Sequence, residues 1–445
     1  MNIRRLVCLI SVAIFSVVNS FAQTDGGSMS LSLKEAQSYA VENNLSVKSA
    51  RYDVESSRSA LWSVISSALP SVDASGSLMD NLKLTTTLLP GEMMGMPGEK
   101  IPVTFGSQYT TSGSIQASMV LFNAPLYLGI ASSKLAVALN EKNVEKSELD
   151  IKESIASTYY LILVTERTLD ILEKNISDLN ATLNSTKAMY AAGMAELTDV
   201  DQVTTNVTSV TNSKTSTLTT LELNYNMLKF QLGVPVNTQI VLTQTLEDIL
   251  AEIDVDLLLQ NTFDYQQNID YKLISDQVKL SELSLKSEMS STLPTLATYY
   301  NYGTNGMGDK LNDLRWFQNS VAGLSLSVPI FASGQRYSKI KKARTELEKS
   351  KNTQNLLVEQ LLIQEQQLRY NLLNANIQYN SQKENIEVAK RVYKNVENKF
   401  KQGVASSLEL TQSNMQYLTA ESNYVNALLT LLQSKLALDK LMNNL

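Results

Sequence analysis

The sequence contains no histidine, and its single cysteine, Cys8, sits near the N-terminus. A His-lined metal site, a Ser-His-Asp triad and a structural zinc site are thereby excluded, and nothing else in the chain suggests an enzyme or a bound cofactor. Proline is scarce, with 8 in 445 residues and none between Gly334 and Gln402. Charged residues make up 18% and the formal net charge is −6. With no basic patch and no interleaved aromatics, nucleic acid is a poor partner. Beyond Gln23, no uncharged apolar run approaches the ~20 residues that a membrane helix needs.

Residues 1–22 are laid out as an export leader. Arg4 and Arg5 form the charged start, Leu6 to Val18 the apolar stretch, and Ser20-Phe21-Ala22 a small-residue cleavage site before Gln23. Cys8 falls inside this leader, too early for a lipid-attachment cysteine, so the processed chain is expected to carry no acyl group. Losing Arg4 and Arg5 takes the formal charge from −6 to −8. An exported chain without a membrane helix is either soluble or a β-barrel.

The dominant remaining pattern is helical. From Leu372, apolar or aromatic residues fall at Ala375 and Tyr379, then at Ile386, Ala389, Tyr393, Val396 and Phe400. Steps of three and four mark a coiled-coil seam. A helix over 334–402 would run ~100 Å at ~1.5 Å per residue, several times a domain's radius. Such an element is a strut or the wall of a tube. The same object occurs over 126–192, where Ile155, Ile162, Leu169, Ile176, Leu183 and Tyr190 stand seven apart, with Leu172 and Leu179 between them. Each long helix stops at a glycine, Gly193 or Gly403. Return helices are expected over 197–232 and 408–442. The first is crowded with Thr, Ser and Asn between Val203 and Thr220, all poor helix formers; its alignment with 415–431 makes it helix.

That alignment belongs to a larger one. A shift of 210 residues lays Leu169 on Tyr379, Ile176 on Ile386, Tyr190 on Phe400, Gly193 on Gly403 and Asp199 on Glu409. The chain therefore divides into two repeats, 23–234 and 235–445. Each opens with short helices, Ser32 and Glu35 forming a capping box at the start of the first. Each then passes through Leu-Pro into a stretch with a different period. Val72, Ala74 and Gly76 alternate with Asp73 and Ser75; Ile115, Ala117 and Met119 with Gln116 and Ser118; Leu324, Leu326, Val328 and Ile330 with Ser325 and Ser327. Together with Tyr299-Tyr300-Asn301-Tyr302 these predict four strands, one hairpin over 70–122 and one over 293–331. Asn305-Gly306-Met307-Gly308 reads as the second turn, and 88–98, rich in Pro, Gly and Met, as an irregular loop. The strands alone also fit a soluble half-buried sheet. Export, struts and the lack of a globular core favour transmembrane strands.

Four strands cannot close a barrel, and an open sheet edge is not tolerated in lipid. Two copies would give eight strands with a filled interior; three would give twelve and a lumen. The narrow helical seams likewise require neighbours on both sides. The fold expected is mainly α with a transmembrane β-barrel part.

Over about 31–445, the order of elements, the duplication and the two tips resemble the TolC-type outer-membrane efflux proteins. The tips read Tyr190-Ala-Ala-Gly193-Met-Ala-Glu-Leu-Thr-Asp199-Val and Phe400-Lys-Gln-Gly403-Val-Ala-Ser-Ser-Leu-Glu409-Leu. The resemblance implies a homotrimer with a twelve-strand barrel in outer-membrane lipid and a helical tunnel across the periplasm. It also implies docking of a periplasmic adaptor (membrane fusion) protein at the tips around Gly193 and Gly403, and an inner-membrane transporter that supplies the energy. The family's acidic gate positions fall on Glu409 and Gln412, one kept as an acid and one replaced by an amide, while Asp199 keeps its place in the first tip. Tyrosine and arginine positions that bond across the closed family tip are Phe400 and Ala405 here. Two other roles fit the same sequence: the duct of a type I protein-secretion system, and an exported coiled-coil scaffold without a pore.

Overall fold

The computed structural model describes residues 29–90, 95, 100–251 and 253–445. The expected leader (1–22) and residues 91–94 and 96–99 of the Met-rich loop lie outside the described residues. In chain order, β1 (Met29–Leu31) leads into α1 (Leu33–Asn43) and α2 (Leu45–Ser66). Next come β2 (Ser71–Asp80), the pair β3 (Thr85–Pro90) and β4 (Lys100–Phe105), and β5 (Tyr109–Phe122). The helices α3 (Ala124–Ala191) and α4 (Leu197–Leu232) follow, then β6 (Ile240–Leu242), α5 (Leu246–Ala251), α6 (Val255–Gln260) and α7 (Ile269–Ser290). The chain closes with β7 (Thr295–Gly308), β8 (Arg315–Ser327), α8 (Gln335–Lys401) and α9 (Ser407–Leu441).

The two long helices, 68 and 67 residues, are unbroken. On the sheet side, α2 packs on α3, and α7 fills the space between α3 and α8. Beyond the midpoint, α4 takes the place of α2 and α9 the place of α7. The exchange is end to end. Asn44 caps α2 through Oδ1, accepting from Ser46 N at 2.8 Å, while its Nδ2 donates to Gln231 O in the last turn of α4 at 2.7 Å. Asn268 caps α7 in the same way (2.9 Å from Asp270 N) and donates to Leu441 O of α9 at 3.0 Å. One chain is thus a layer four helices wide.

The main core sits at this joint, halfway along α3. β1 pairs in parallel with β6, so Ile240-Val241-Leu242 is a strand. The hydroxyl of Tyr159 donates to Leu31 O (3.2 Å) and accepts from Gln244 N (3.3 Å), which ties both strands to α3. Ala36, Ala40, Ile155, Ile162, Leu228, Leu232, Leu428 and Leu432 pack around it. Each large apolar side chain buried there contributes ~1.5–3 kcal/mol.

Threonine-rich α4 is helical throughout. Thr204, Thr205, Thr208, Thr211, Thr215 and Thr219 each donate to the carbonyl four residues back, satisfying hydroxyls that would otherwise compete for the backbone. The seam residues Ile155, Ile162, Leu169, Leu179 and Leu183 are buried, and Tyr190 is exposed.

The four-stranded sheet runs β2-β5-β7-β8, antiparallel throughout. Its register sorts the two faces. One carries Val72, Ala74, Ile115, Ala117, Tyr300, Tyr302, Ala322, Leu324 and Leu326, and the other is mostly hydroxyl and amide. Ser71–Ser118, Ser75–Ser114 and Ser77–Ser112 bond across the polar face at 2.7–2.9 Å.

Three local expectations fail. Asn305–Gly308 is strand, and the turn lies at 309–314. Gly306 is there for space: a Cβ would lie 2.7 Å from Thr111 Cγ2 and 3.3 Å from the Trp316 ring. The flanks of the Met-rich loop are paired as β3 and β4, an isolated two-strand ribbon that tolerates Pro90 and Pro102. Val328 and Ile330 lie beyond the end of β8, outside the sheet.

Candidate functional site

The end of the helical layer opposite the sheet is built from two copies of one turn. At the first, Gly193 (φ 71°) donates to Tyr190 O (2.9 Å) and Met194 N to Met189 O (2.8 Å). At the second, Gly403 (φ 72°) donates to Phe400 O (2.9 Å) and Val404 N to Lys399 O (2.8 Å). This is the helix stop that pairs a left-handed glycine with two returning N–H bonds. Each turn leads into a new helix whose third residue is acidic. Asp199 Oδ2 accepts from Glu196 N at 2.9 Å, and Glu409 Oε2 from Ser406 N at 3.2 Å, with Ser406 Oγ accepting from Glu409 N in return. Both carboxylates also face the positive end of their helix.

The gate residues separate into different environments. Glu409 and Gln412 are exposed, one helical turn apart on α9, and among the described residues Glu409 has only its cap contact. Asp199 is half-buried and belongs to a cross-link that sequence spacing did not reveal. The Ser407 hydroxyl donates to Asp199 Oδ1 and lies 3.2 Å from Gln202 Oε1, joining the first turns of α9 and α4. Asn206 Nδ2 donates to Thr411 Oγ1 one turn further on, at 2.9 Å. The bonds from Ser407 and from Glu196 N hold the Asp199 carboxyl below the usual range. Phe400 is buried with Tyr393 and Leu410, and Ala405 packs at the edge of the same cluster. Neither extends a polar group from the tip.

The outermost surface mixes polar side chains with exposed apolar ones. Met194, Leu197, Val404 and Leu408 are exposed around the two glycine turns. Among the described residues no group of three or more His, Cys, Asp or Glu could hold a metal ion. Among them, too, no helix is long and apolar enough to cross a membrane.

A profile of outer membrane efflux proteins matches residues 37–234 and 277–444. The fold is shared with several solved structures. The outer membrane protein VceC from Vibrio cholerae superposes with a TM-score of 0.70 at 14% identity, over 92% of this chain and 95% of that one. The CmeC outer membrane channel of Campylobacter jejuni gives 0.71 at 17%, over 93% and 85%. The open state of the Neisseria gonorrhoeae MtrE outer membrane channel gives 0.72 at 15%, over 92% and 88%. No curated protein sequence matches the chain.

Proposed function

Because the chain belongs to the outer membrane efflux protein family, we propose that three copies close into a passive exit duct for small molecules. The observation that carries this reading is an unpartnered seam. Leu356, Ile363, Tyr370 and Ile377 stand seven apart on α8, and all four are exposed, between 58% and 67%. A heptad stripe of that kind needs a facing helix. The opposite edge of the layer offers one, with Leu45 and Tyr52 seven apart on α2 and Leu223 and Phe230 seven apart on α4, all exposed. The sheet has matching edges in β2 and β8. Its strands alternate in direction, so β8 of one copy meets β2 of the next antiparallel, as closure requires. The apolar face would then meet lipid and the serine and asparagine face would line the pore.

In this arrangement the two repeats, 23–234 and 235–445, alternate around a twelve-strand barrel and a tunnel reaching into the periplasm. The glycine turns at 193 and 403, with their exposed apolar side chains, form the docking end for a periplasmic adaptor and an inner-membrane transporter. Glu409 contributes one acidic ring near that end, with Gln412 beside it and Asp199 held back by Ser407. The duct performs no bond chemistry; energy comes from the transporter. Reconstitution in planar bilayers tests the reading: discrete trimer-dependent conductance steps support it, and protein that inserts without conducting overturns it.

A further inference from the structure

The four strands of the sheet hold only three charged residues, Asp73 and Asp80 on β2 and Arg315 on β8. The register separates them. Asp73 pairs with Gln116, Gln116 with Asn301 and Asn301 with Val321, a row on the face of hydroxyls and amides. Asp80 pairs with Tyr109 at the far end of β2, on the same face as Leu78, and accepts from Gln108 Nε2 at 3.3 Å. Arg315 shares the face of Asp73 but pairs with Met307. Its row lies ~20 Å along the sheet from that of Asp73, at ~3.3 Å per residue.

No group of the chain engages the Asp73 carboxylate. Its neighbours on that face of β2, Ser71 and Ser75, are bonded across the sheet to Ser118 (2.9 Å) and Ser114 (2.8 Å). Asp73 itself is exposed, and among the described residues nothing bonds to its carboxylate. In the three-copy duct proposed above, on which this inference rests, the hydroxyl and amide face lines the pore.

We propose that Asp73 forms a ring of three carboxylates inside the barrel that admits cations in preference to anions, independently of Glu409 at the tip. Twelve strands ~4.8 Å apart and tilted ~40° close at a radius of ~12 Å. A carboxylate reaching inward from that wall stands ~9 Å from the pore axis. At that range screening decides the outcome, because the Debye length is ~30 Å at ~10 mM salt and ~3 Å at ~1 M. In dilute salt the summed attraction enriches small cations on the axis about fivefold, and in concentrated salt it disappears. The two rings are separated by the length of α8, ~100 Å at ~1.5 Å per residue, so neither feels the other. An anionic solute meets one barrier at the tip and a second in the barrel.

Reversal potentials across a potassium chloride gradient, in planar bilayers holding the full-length protein, test this. The parent channel is Glu409→Gln, which removes the charge at the tip. Adding Asp73→Asn should lower the cation-to-anion permeability ratio at least about threefold near ~10 mM salt and leave it unaltered near ~1 M. The carboxylate has no partner to lose, so the melting temperature should match the parent's. Side-specific labelling gives a second readout. Cys8 is the only cysteine, so in a Cys8→Ser background an introduced one stands alone. A membrane-impermeant cationic thiosulfonate on Asp73→Cys should turn the preference toward anions, and its anionic counterpart should restore the preference for cations. Ala74→Cys, on the opposite face, should respond to neither reagent. Conducting channels with the same low-salt selectivity with and without Asp73 overturn the proposal, the result expected if Arg315 of an adjoining copy neutralised the carboxylate. A response at Ala74→Cys with silence at Asp73→Cys also overturns it, because the pore would then be lined by the other face. Protein that inserts without conducting overturns the duct itself, and this inference with it.

Discussion

Asn44 and Asn268 make the same joint in the two halves of the chain: each caps a sheet-side helix and holds the last turn of the return helix that continues its line. The joint is buried at both places, and each amide spends its donor and its acceptor. Asn268→Ala removes the cap and the bond to Leu441 O, and should destabilise by about 2 kcal/mol, about half from each. Asn268→Asp keeps the cap but sets a carboxylate oxygen against that carbonyl. Thermal or urea unfolding should rank wild type above both variants; an Asp variant equal to wild type would remove the role assigned to the donor.

Asp276 links α7 to α3 through Lys142 and lies 2.8 Å from Lys279. Burial alone would raise its carboxyl, but the two lysines outweigh that and hold it below the ordinary range. Such an acid stabilises the fold above its unfolded pKa of ~3.9 and loses that contribution as pH falls through the lower folded value. Asp276→Asn should therefore cost about 1–3 kcal/mol at neutral pH. The deficit should shrink toward zero in acid, once the wild-type carboxyl is protonated too. A deficit constant with pH would show that packing, not charge, is what the substitution removes.

Three glycines with left-handed backbone should differ sharply on substitution. A Cβ on Gly233 (φ 73°) would lie 2.6 Å from Asn43 O, inside the joint, whereas one at Gly193 or Gly403 meets nothing within 4 Å. Gly403→Ala and Gly193→Ala should cost only the ~1–2 kcal/mol of the conformation itself. Gly233→Ala should cost clearly more and loosen the contact of α1 with α4. Comparable melting temperatures for all three would contradict the packing at Gly233.

The tip predicts its own conductance. Three Glu409 carboxylates around a narrow tunnel end would attract cations, because low-dielectric walls focus the field. Basal current should be cation-selective and blocked from the helical side by multivalent cations. Glu409→Gln should abolish most of the block while leaving assembly intact, since glutamine still serves the cap. Gln412→Asp should strengthen the block by adding a second ring. Unchanged block and selectivity in Glu409→Gln would place that residue away from the lumen.

Much of this fold was legible because long coiled elements repeat one rule. Sevenfold spacing from Ile155 to Tyr190 located α3, and the glycines at 193 and 403 located its end and that of α8. Propensity failed for Val203–Thr220, where only the second repeat suggested helix; the i−4 hydroxyl bonds supply the reason it is tolerated. Gly306 and Gly308 looked like a turn because composition does not distinguish a residue that bends the chain from one that, like Gly306, makes room for Trp316. At the tip, Ser406 and Glu409 were readable as a local pair. The bond from Ser407 to Asp199 was not, since it spans 208 residues and joins positions that the repeat does not align.

The most direct test of the assembled duct is the mass of the detergent-solubilised protein by light scattering, corrected for bound detergent. The unpartnered stripe on α8 and the open edges at β2 and β8 predict three copies. The double variant Ile363→Asp/Ile377→Asp should fall apart or fail to assemble. A monodisperse wild-type monomer would contradict the account, because one chain supplies too few strands to close a barrel in a membrane.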